Sequence, residues 1–279
     1  MKRYAVRVFY EGKGYYGYQR QLEKRTIEGT IIQALEEIKY INSPEESNFR
    51  SASRTDKYVN AIGNVFSFNS ERNIILEELN SVLPRDKTIA CWGYSEVEMD
   101  FSPKYSMWKK YWYIISKEFL ESNSSMTVAK IKAVSSLFRG EHDFSLFCKK
   151  DHRKTTRKLD KLTVIEQENR IILEFLANSF LWEQVRRITS YILNFDTLSK
   201  ELQNTKKLLQ AQTSVNALNL EPANPKQLVL VEHFYENLNW LISKRTKELI
   251  LKKFETEILK LRQRENLVTS AHKFFLDLG

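Results

Sequence analysis

The most polar run in the first half of the chain is Ser51-Ala52-Ser53-Arg54-Thr55-Asp56-Lys57, set between a loop and a strand. Its carboxylate, Asp56, is flanked by Arg54 and Lys57. Cations beside a carboxylate favour the ionised form, and an ionised, positioned carboxylate serves as a nucleophile or base. The same spacing also suits an Asx-turn with no chemistry. Tyr111 and Tyr113 share one face of a strand, with Trp112 opposite and Lys109 and Lys110 just before. Aromatics beside cations stack bases and hold phosphates; the pattern also describes a core strand. Arg186 and Arg187 point about 100° apart on a helix. One turned inward needs a carboxylate partner, whereas both reaching water need none.

Lys149, Lys150, Arg153, Lys154, Arg157 and Lys158 place six cations within ten residues, in a chain with 44 basic and 35 acidic residues and a net charge of +9. Such a cluster attracts a polyanion, most commonly RNA or DNA; a solvated loop is the plainer reading. The four His, at 142, 152, 233 and 272, lack metal-ligand spacing, and Cys91 and Cys148 stand far apart. No metal, no disulfide framework and a cytoplasmic home are therefore expected. Gly12-x-Gly14-x-x-Gly17 matches a dinucleotide loop in its letters and follows a strand. Tyr15, Tyr16, Tyr18 and Gln19 crowd it, and no apolar helix opens at once. Hydrophobic residues at 42% and charged residues at 28% exclude a fully disordered chain. The sequence has no run of about 18 apolar residues to span a membrane, and its first seven residues alternate without a signal-peptide core.

These side chains need a scaffold. Residues 4–10 read as a strand of β-branched and aromatic residues. Thr26 caps a helix with Ile27, Ile31, Ala34, Leu35 and Ile38 at helical spacing. Strands at 64–68, 88–97 and 108–115 and a short helix at 74–83 complete the first half. A polar stretch at 121–125 separates it from the second. There a helix at 127–138 precedes a hairpin of 162–167 and 170–177. Helices at 180–194 and near 198–210, then a strand at 228–235, follow. Residues 238–279 have helical spacing and many charges, which suits a packing helix, with self-association or RNA contact as the alternatives. Runs of strand, helix, strand, strand favour an α/β fold of the α+β type with antiparallel sheets over a doubly wound parallel one. No internal sequence repeat stands out. The division drawn is 1–120 with the Asp56 loop, 121–235 with the basic loop and Arg186, and 236–279 as a helical extension.

In order and spacing the segments resemble the tRNA pseudouridine synthases of the TruA type. Tyr10-Glu11-Gly12-x-x-Tyr15-x-Gly17-Tyr18-Gln19-Arg20-Gln21 is similar to the opening Y-D-G-x-x-Y-x-G-W-Q-x-Q, and Thr26-Ile27-Glu28-Gly29 to T-V-Q/E-G. Ser53-Arg54-Thr55-Asp56 resembles the catalytic G-R-T-D. Phe101-Ser102-Pro103-Lys104-Tyr105 and Lys110-Tyr111-Trp112-Tyr113 resemble F-x-P-R-F and R-Y-x-Y. Gly140-Glu141-His142-Asp143-Phe144-Ser145-x-Phe147 follows G-x-H-D-F-x-x-F. Asn178-Ser179-Phe180-Leu181, Gln184-Val185-Arg186 and Leu228-Val229-Leu230 are similar to N-x-F-L/V, M-V-R and a final L-x-L strand. The match covers about 1–235.

The resemblance implies two similar halves around a central cleft. It implies a cofactor-free isomerisation of uridine in tRNA, in the anticodon stem-loop, by a homodimer whose tRNA spans both subunits. The C1′–N1 bond is cut, the base turns, and it rejoins through C5. Asp56 takes the place of the catalytic carboxylate, Tyr111 of the stacking tyrosine and Arg186 of the partner that orients Asp56. Arg54 stands where an arginine helps extrude the nucleotide, and Leu228 where an apolar residue walls the pocket. The run Lys149, Lys150, Arg153, Lys154, Arg157, Lys158 becomes an RNA-contacting loop. Two departures stand out: Tyr58 replaces a glycine and Asn60 a histidine of G-R-T-D-x-G-V-H-A, and Tyr58 is strained if that glycine needs a positive φ. They motivate a second reading, an RNA-binding or tRNA-folding module with little catalysis. A dinucleotide-dependent enzyme is the third.

Overall fold

The computed structural model describes residues 1–198, 201–210 and 220–277. Strand β1 (Lys2–Tyr10) is followed by helix α1 (Ile27–Glu37), whose Thr26 cap accepts from the Gly29 N–H at 3.2 Å. That bond satisfies one of the N–H groups a helix start leaves open. Then come β2 (Arg50–Ser51), β3 (Asn60–Ser70), α2 (Leu76–Val82) and β4 (Ile89–Val97). The second half opens with β5 (Trp108–Ser116), α3 (Lys117–Asn123) and α4 (Val128–Ser136). A hairpin of β6 (Gly140–Asp143) and β7 (Thr156–Leu159) precedes β8 (Lys161–Glu166) and β9 (Arg170–Ala177). Next are α5 (Gln184–Leu193), α6 (Phe195–Leu198), α7 (Leu202–Leu209), β10 (Leu228–Phe234), β11 (Leu241–Ile242) and α8 (Lys244–Leu276).

One sheet runs β11-β4-β1-β3-β10-β5-β9-β8, with β2 added beside β3. Its one parallel contact among the described strands is β3–β10, where Val229 faces Asn60 and Leu230 faces Ala61. The sheet order contains a repeat that the sequence does not display. In the first half β1 lies between β3 and β4; in the second, β5 lies between β9 and β10. In each, the central strand comes first in the chain and a helix follows it. The second neighbour is reached through α2 or α5. The short strand before each second strand also corresponds: β2 pairs with β3 as β8 pairs with β9. The β8–β9 connection is a tight turn at 167–169. The β2–β3 connection is the eight-residue loop 52–59, which carries Asp56.

Each half buries its own core. Val6, Val8, Ile31, Leu35, Phe66 and Phe68 fill the first. Ile131, Phe138, Phe144, Phe147, Phe175 and Tyr191 fill the second. Burying a side chain of this size contributes about 1.5–3 kcal/mol, which is why the Gly140–Phe147 segment is held by its two phenylalanines. Tyr111 packs against both cores, so it sits at the seam between halves. Tyr113 and Ile115 of β5 belong to the second core. We therefore propose to place the division within 98–107 rather than at 120; the 121–125 stretch is partly helix α3, not a linker.

Two other expectations change. The helix expected over 180–194 starts only at Gln184, because Glu183 takes a left-handed φ of 61° and turns the chain first. The helical tail forms, but it packs only at its start. Thr246 is buried and the Phe254 ring meets Phe9 at 5.5 Å, whereas residues 255–277 are exposed throughout. Residues 199–200 of the helix expected near 198–210, and 278–279 of the tail, lie outside the described residues. No helix among the described residues is long and apolar enough to cross a membrane.

Candidate active site

The loop 52–59 is held from below by buried polar groups. Asn64 on β3 donates to the Ser53 carbonyl at 3.0 Å and to the Tyr10 hydroxyl at 3.2 Å. That hydroxyl lies 2.8 Å from Thr55 Oγ1, and the Tyr18 N–H donates to the Thr55 carbonyl at 3.0 Å. The loop after β1 closes over the top. A Cβ on Gly12 would lie 2.5 Å from backbone atoms of Tyr58 and Val59, so only glycine fits there. Gly17, at φ +91°, lies against the backbone of Thr55, Asp56 and Lys57. The Gly12-x-Gly14-x-x-Gly17 pattern is thus a support for the Asp56 loop, which leaves the dinucleotide reading without its motif.

Tyr58 adopts φ +70°, the left-handed conformation that its glycine counterpart would take freely. Such a backbone costs a bulky residue of order 1–3 kcal/mol. Its ring is met by Lys57 at 4.9 Å and Lys226 at 5.6 Å. Asn60 accepts from the Gly12 N–H at 2.9 Å and donates to the Lys226 carbonyl at 3.1 Å. It ties the first loop, β3 and the turn before β10 together.

Asp56 meets the second half across the seam. Arg186 Nη1 donates to its Oδ2 at 2.8 Å, and Trp182 Nε1 to its Oδ1 at 3.2 Å. Arg186 is fixed in turn by donating through Nε to the Ala223 carbonyl at 2.7 Å. Its position on the first turn of α5 follows from the Glu183 bend. Arg187, the other candidate, bonds Glu183 at 2.7 Å instead. Tyr111 rises from β5 beside Asp56, its hydroxyl bonded to Ser53 and its ring edge-on to Phe180 at 5.2 Å. Burial, and to a lesser extent the Asp56 charge, pushes its hydroxyl up to about 12. It therefore stays an O–H donor at neutral pH.

Lys109, two residues before Tyr111 on the same strand, is largely sunk in the protein. Its ammonium donates to the Ala52 carbonyl at 3.2 Å, at the start of the Asp56 loop, and it has no carboxylate partner among the described residues. Burial, then the charges of Lys104 and Arg153, bring it down to about 8. Beside the loop runs a groove of about 680 Å³, lined by Arg20, Arg50, Arg54 and Lys104 with Glu28 among them.

The other expected binding residues divide. Lys149 lies 4.1 Å over the Trp182 ring and so reaches the Asp56 cluster. Arg153 is paired with Asp151, Lys158 with Asp160 at 3.3 Å, and Arg157 turns back to the Lys154 and Thr156 carbonyls. Lys150 and Lys154 are exposed. Leu228 is buried in the second core, facing Tyr113. Trp182 is the residue sequence reasoning missed. Its neighbours Asn178–Leu181 stood out, but an indole in a turn carries no spacing signal. No group of His, Cys, Asp and Glu that could hold a metal exists among the described residues.

A carboxylate gripped by two donors from the opposite half, with a protonated tyrosine beside it and a basic groove alongside, is an arrangement suited to chemistry on a polyanion. The model of a family described as tRNA pseudouridine synthase matches residues 134–236. Three archaeal proteins named tRNA pseudouridine synthase A are similar along most of their length. That of Pyrococcus furiosus is 35% identical over 99% of this chain and 97% of its own. That of Methanothermobacter thermautotrophicus is 32% identical over 84% and 82%, and that of Thermococcus kodakarensis 36% over 81% and 82%. Among solved structures, the archaeal box H/ACA sRNP Nop10-Cbf5 complex aligns at 11% identity and a TM-score of 0.34, over 67% of this chain and 42% of that one, too loosely to bear on the fold. The chain belongs to the tRNA pseudouridine synthase A family. It is a pseudouridine synthase, an isomerase of uridine in tRNA.

Proposed function

We propose that Asp56 carries this isomerisation and that the seam between the halves is the active site. The observation that carries the reading is the Asp56 carboxylate, each oxygen engaged by a donor from the other half, 2.8 Å to Arg186 and 3.2 Å to Trp182. A uridine inside RNA is reached only by flipping it out of its stack, which costs a few kcal/mol. Arg54 and the basic groove hold the displaced backbone, and stacking on Tyr111 offsets the loss, about 1–3 kcal/mol per base. The carboxylate then works at C1′ to release the base; the turned base rejoins through C5 beside the Tyr111 hydroxyl, C5 gives up its proton to water and N1 takes one up. No cofactor is needed, since no electrons leave or enter. The substrate site is a uridine of the anticodon stem-loop, and the working form is a cytoplasmic homodimer. The binding-module reading loses its motive: Tyr58 and Asn60 are accommodated without disturbing Asp56.

The test uses a tRNA transcript tritiated at uridine C5. The protein is expected to release tritium, and sequencing of the product to place pseudouridine in the anticodon stem-loop. Tight binding of competent tRNA without release would overturn the reading.

Lys109 adds a pH dependence. A half-buried ammonium with no carboxylate partner among the described residues is suited to a phosphate of the bound strand. The charged form prevails below about pH 8 and is lost above it. Affinity for tRNA is therefore expected to fall about five- to tenfold as pH rises from 7 to 9. In Lys109→Arg that fall disappears, because a guanidinium stays charged. Lys109→Met binds weakly at every pH, with a salt slope smaller by about 0.9. Filter binding against pH and salt checks all three.

A further inference from the structure

From Phe254 onward α8 leaves the body of the protein with an apolar seam in water. Leu251, Phe254, Ile258, Leu261, Val268 and Phe275 follow three- and four-residue steps, with Glu265 and His272 filling the two gaps. Leu261 is 69% and Phe275 71% exposed. A 33-residue helix that keeps such a seam from Leu251 to Phe275, about 36 Å, is built to meet another helix.

We propose that α8 pairs antiparallel with the α8 of a second copy of this chain. This deepens the homodimer part of the proposed function by assigning its surface. The charges beside the seam choose the register. Setting Ile258 against Leu261 of the second copy also sets Leu251 against Val268. It brings Glu255 opposite Arg262 on one flank and Glu257 opposite Arg264 on the other. Two-fold symmetry doubles each pair, making four attractions and no repulsion. Sliding one heptad one way puts Glu255 on Glu255 and Glu257 on Glu257. Sliding the other way puts Arg262 on Arg262 and Arg264 on Arg264. Like charges so placed reject the wrong registers. A parallel pair would set Glu265 against itself inside the seam. In the favoured register Glu265 meets Phe254, whose ring is already turned onto Phe9.

The ends of the helix agree independently. Leu241 and Ile242, just before α8, are exposed in β11 at 60% and 44%. Phe274, Phe275 and Leu276 are exposed at the far end. Antiparallel pairing of the whole helix brings the end of one copy to the start of the other and covers both groups.

The experiment measures mass by sedimentation equilibrium at micromolar protein. The natural chain is expected to be a dimer. Glu255→Arg with Glu257→Arg, and separately Arg262→Glu with Arg264→Glu, should each dissociate at least a hundredfold more readily. Mixing the two variants should restore the dimer mass, because every flank then pairs Arg with Glu. That rescue also shows that both variants fold. Leu251→Cys mixed with Val268→Cys should cross-link, and Leu251→Cys alone should not. A natural chain that is monomeric, or charge variants that stay dimeric alone, would overturn the proposal. So would a monomer whose tRNA affinity falls in the Arg262/Arg264 variant, which would make the helix an RNA contact. Tritium release is read separately: its loss with the dimer intact counts against the active site, not the helix.

Discussion

Asp56→Asn is expected to abolish tritium release, by at least about 10³-fold, while tRNA affinity stays within about threefold. The substitution keeps the shape of the side chain and removes its charge. One oxygen can still accept from Arg186 or Trp182, but the new NH₂ group faces a donor where the carboxylate offered an acceptor. The group at C1′ then has neither the negative charge that makes it a nucleophile nor the basicity to remove a proton. Placement of a general base or nucleophile contributes 10²–10⁴-fold, and among the described residues no other carboxylate accepts from Arg186 or Trp182. Binding survives because the groove cations and Lys109 are untouched. Equal release by the variant would mean that another residue does the chemistry.

Arg186→Lys and Arg186→Ala grade the second effect. The guanidinium does two things at once: Nε holds the Ala223 carbonyl and Nη1 holds Asp56. A lysine has one head and cannot serve both in that geometry. It is expected to lower kcat about tenfold. Alanine leaves Asp56 with Trp182 alone and is expected to cost about 10²-fold, roughly 2.7 kcal/mol at 1.36 kcal/mol per tenfold. Both losses should fall on kcat with KM nearly unchanged, since Arg186 lies behind the carboxylate and away from the groove. Single-turnover kinetics separates the two. A rise in KM alone would recast Arg186 as an RNA contact.

The legible parts of the chain are those where spacing reports a face. The apolar steps of α1 and the β-branched and aromatic run of β1 predict their elements within a residue or two. Motif order picks out Asp56, Tyr111 and Arg186, which the fold brings to one seam. What stayed hidden depends on distant contact. Trp182 matters only because the 180–183 turn aims its indole across the seam. Lys109 reads as one of two cations before the tyrosines until the fold sets its ammonium against the Ala52 carbonyl of the Asp56 loop. The run from Lys149 to Lys158 looks uniform, yet Asp151 and Asp160 take up Arg153 and Lys158. The topological repeat leaves no trace because cores tolerate many apolar choices if volume and pattern are kept.

The β3–β10 contact also sets when this protein can begin to work. Chains emerge from the ribosome amino end first, and early segments fold as they appear. The Asp56 loop is complete once β3 is made, about a quarter of the way along. Its partners Trp182 and Arg186 come more than a hundred residues later. The strand that joins the halves, Leu228–Phe234, comes later still. Until then the side of Asn60–Ala61 that β10 pairs with is open, and before α5 is made the Asp56 carboxylate lacks its Trp182 and Arg186 donors. A nascent chain that stops short of Leu228 therefore holds the Asp56 loop without the strand that seats the two halves side by side.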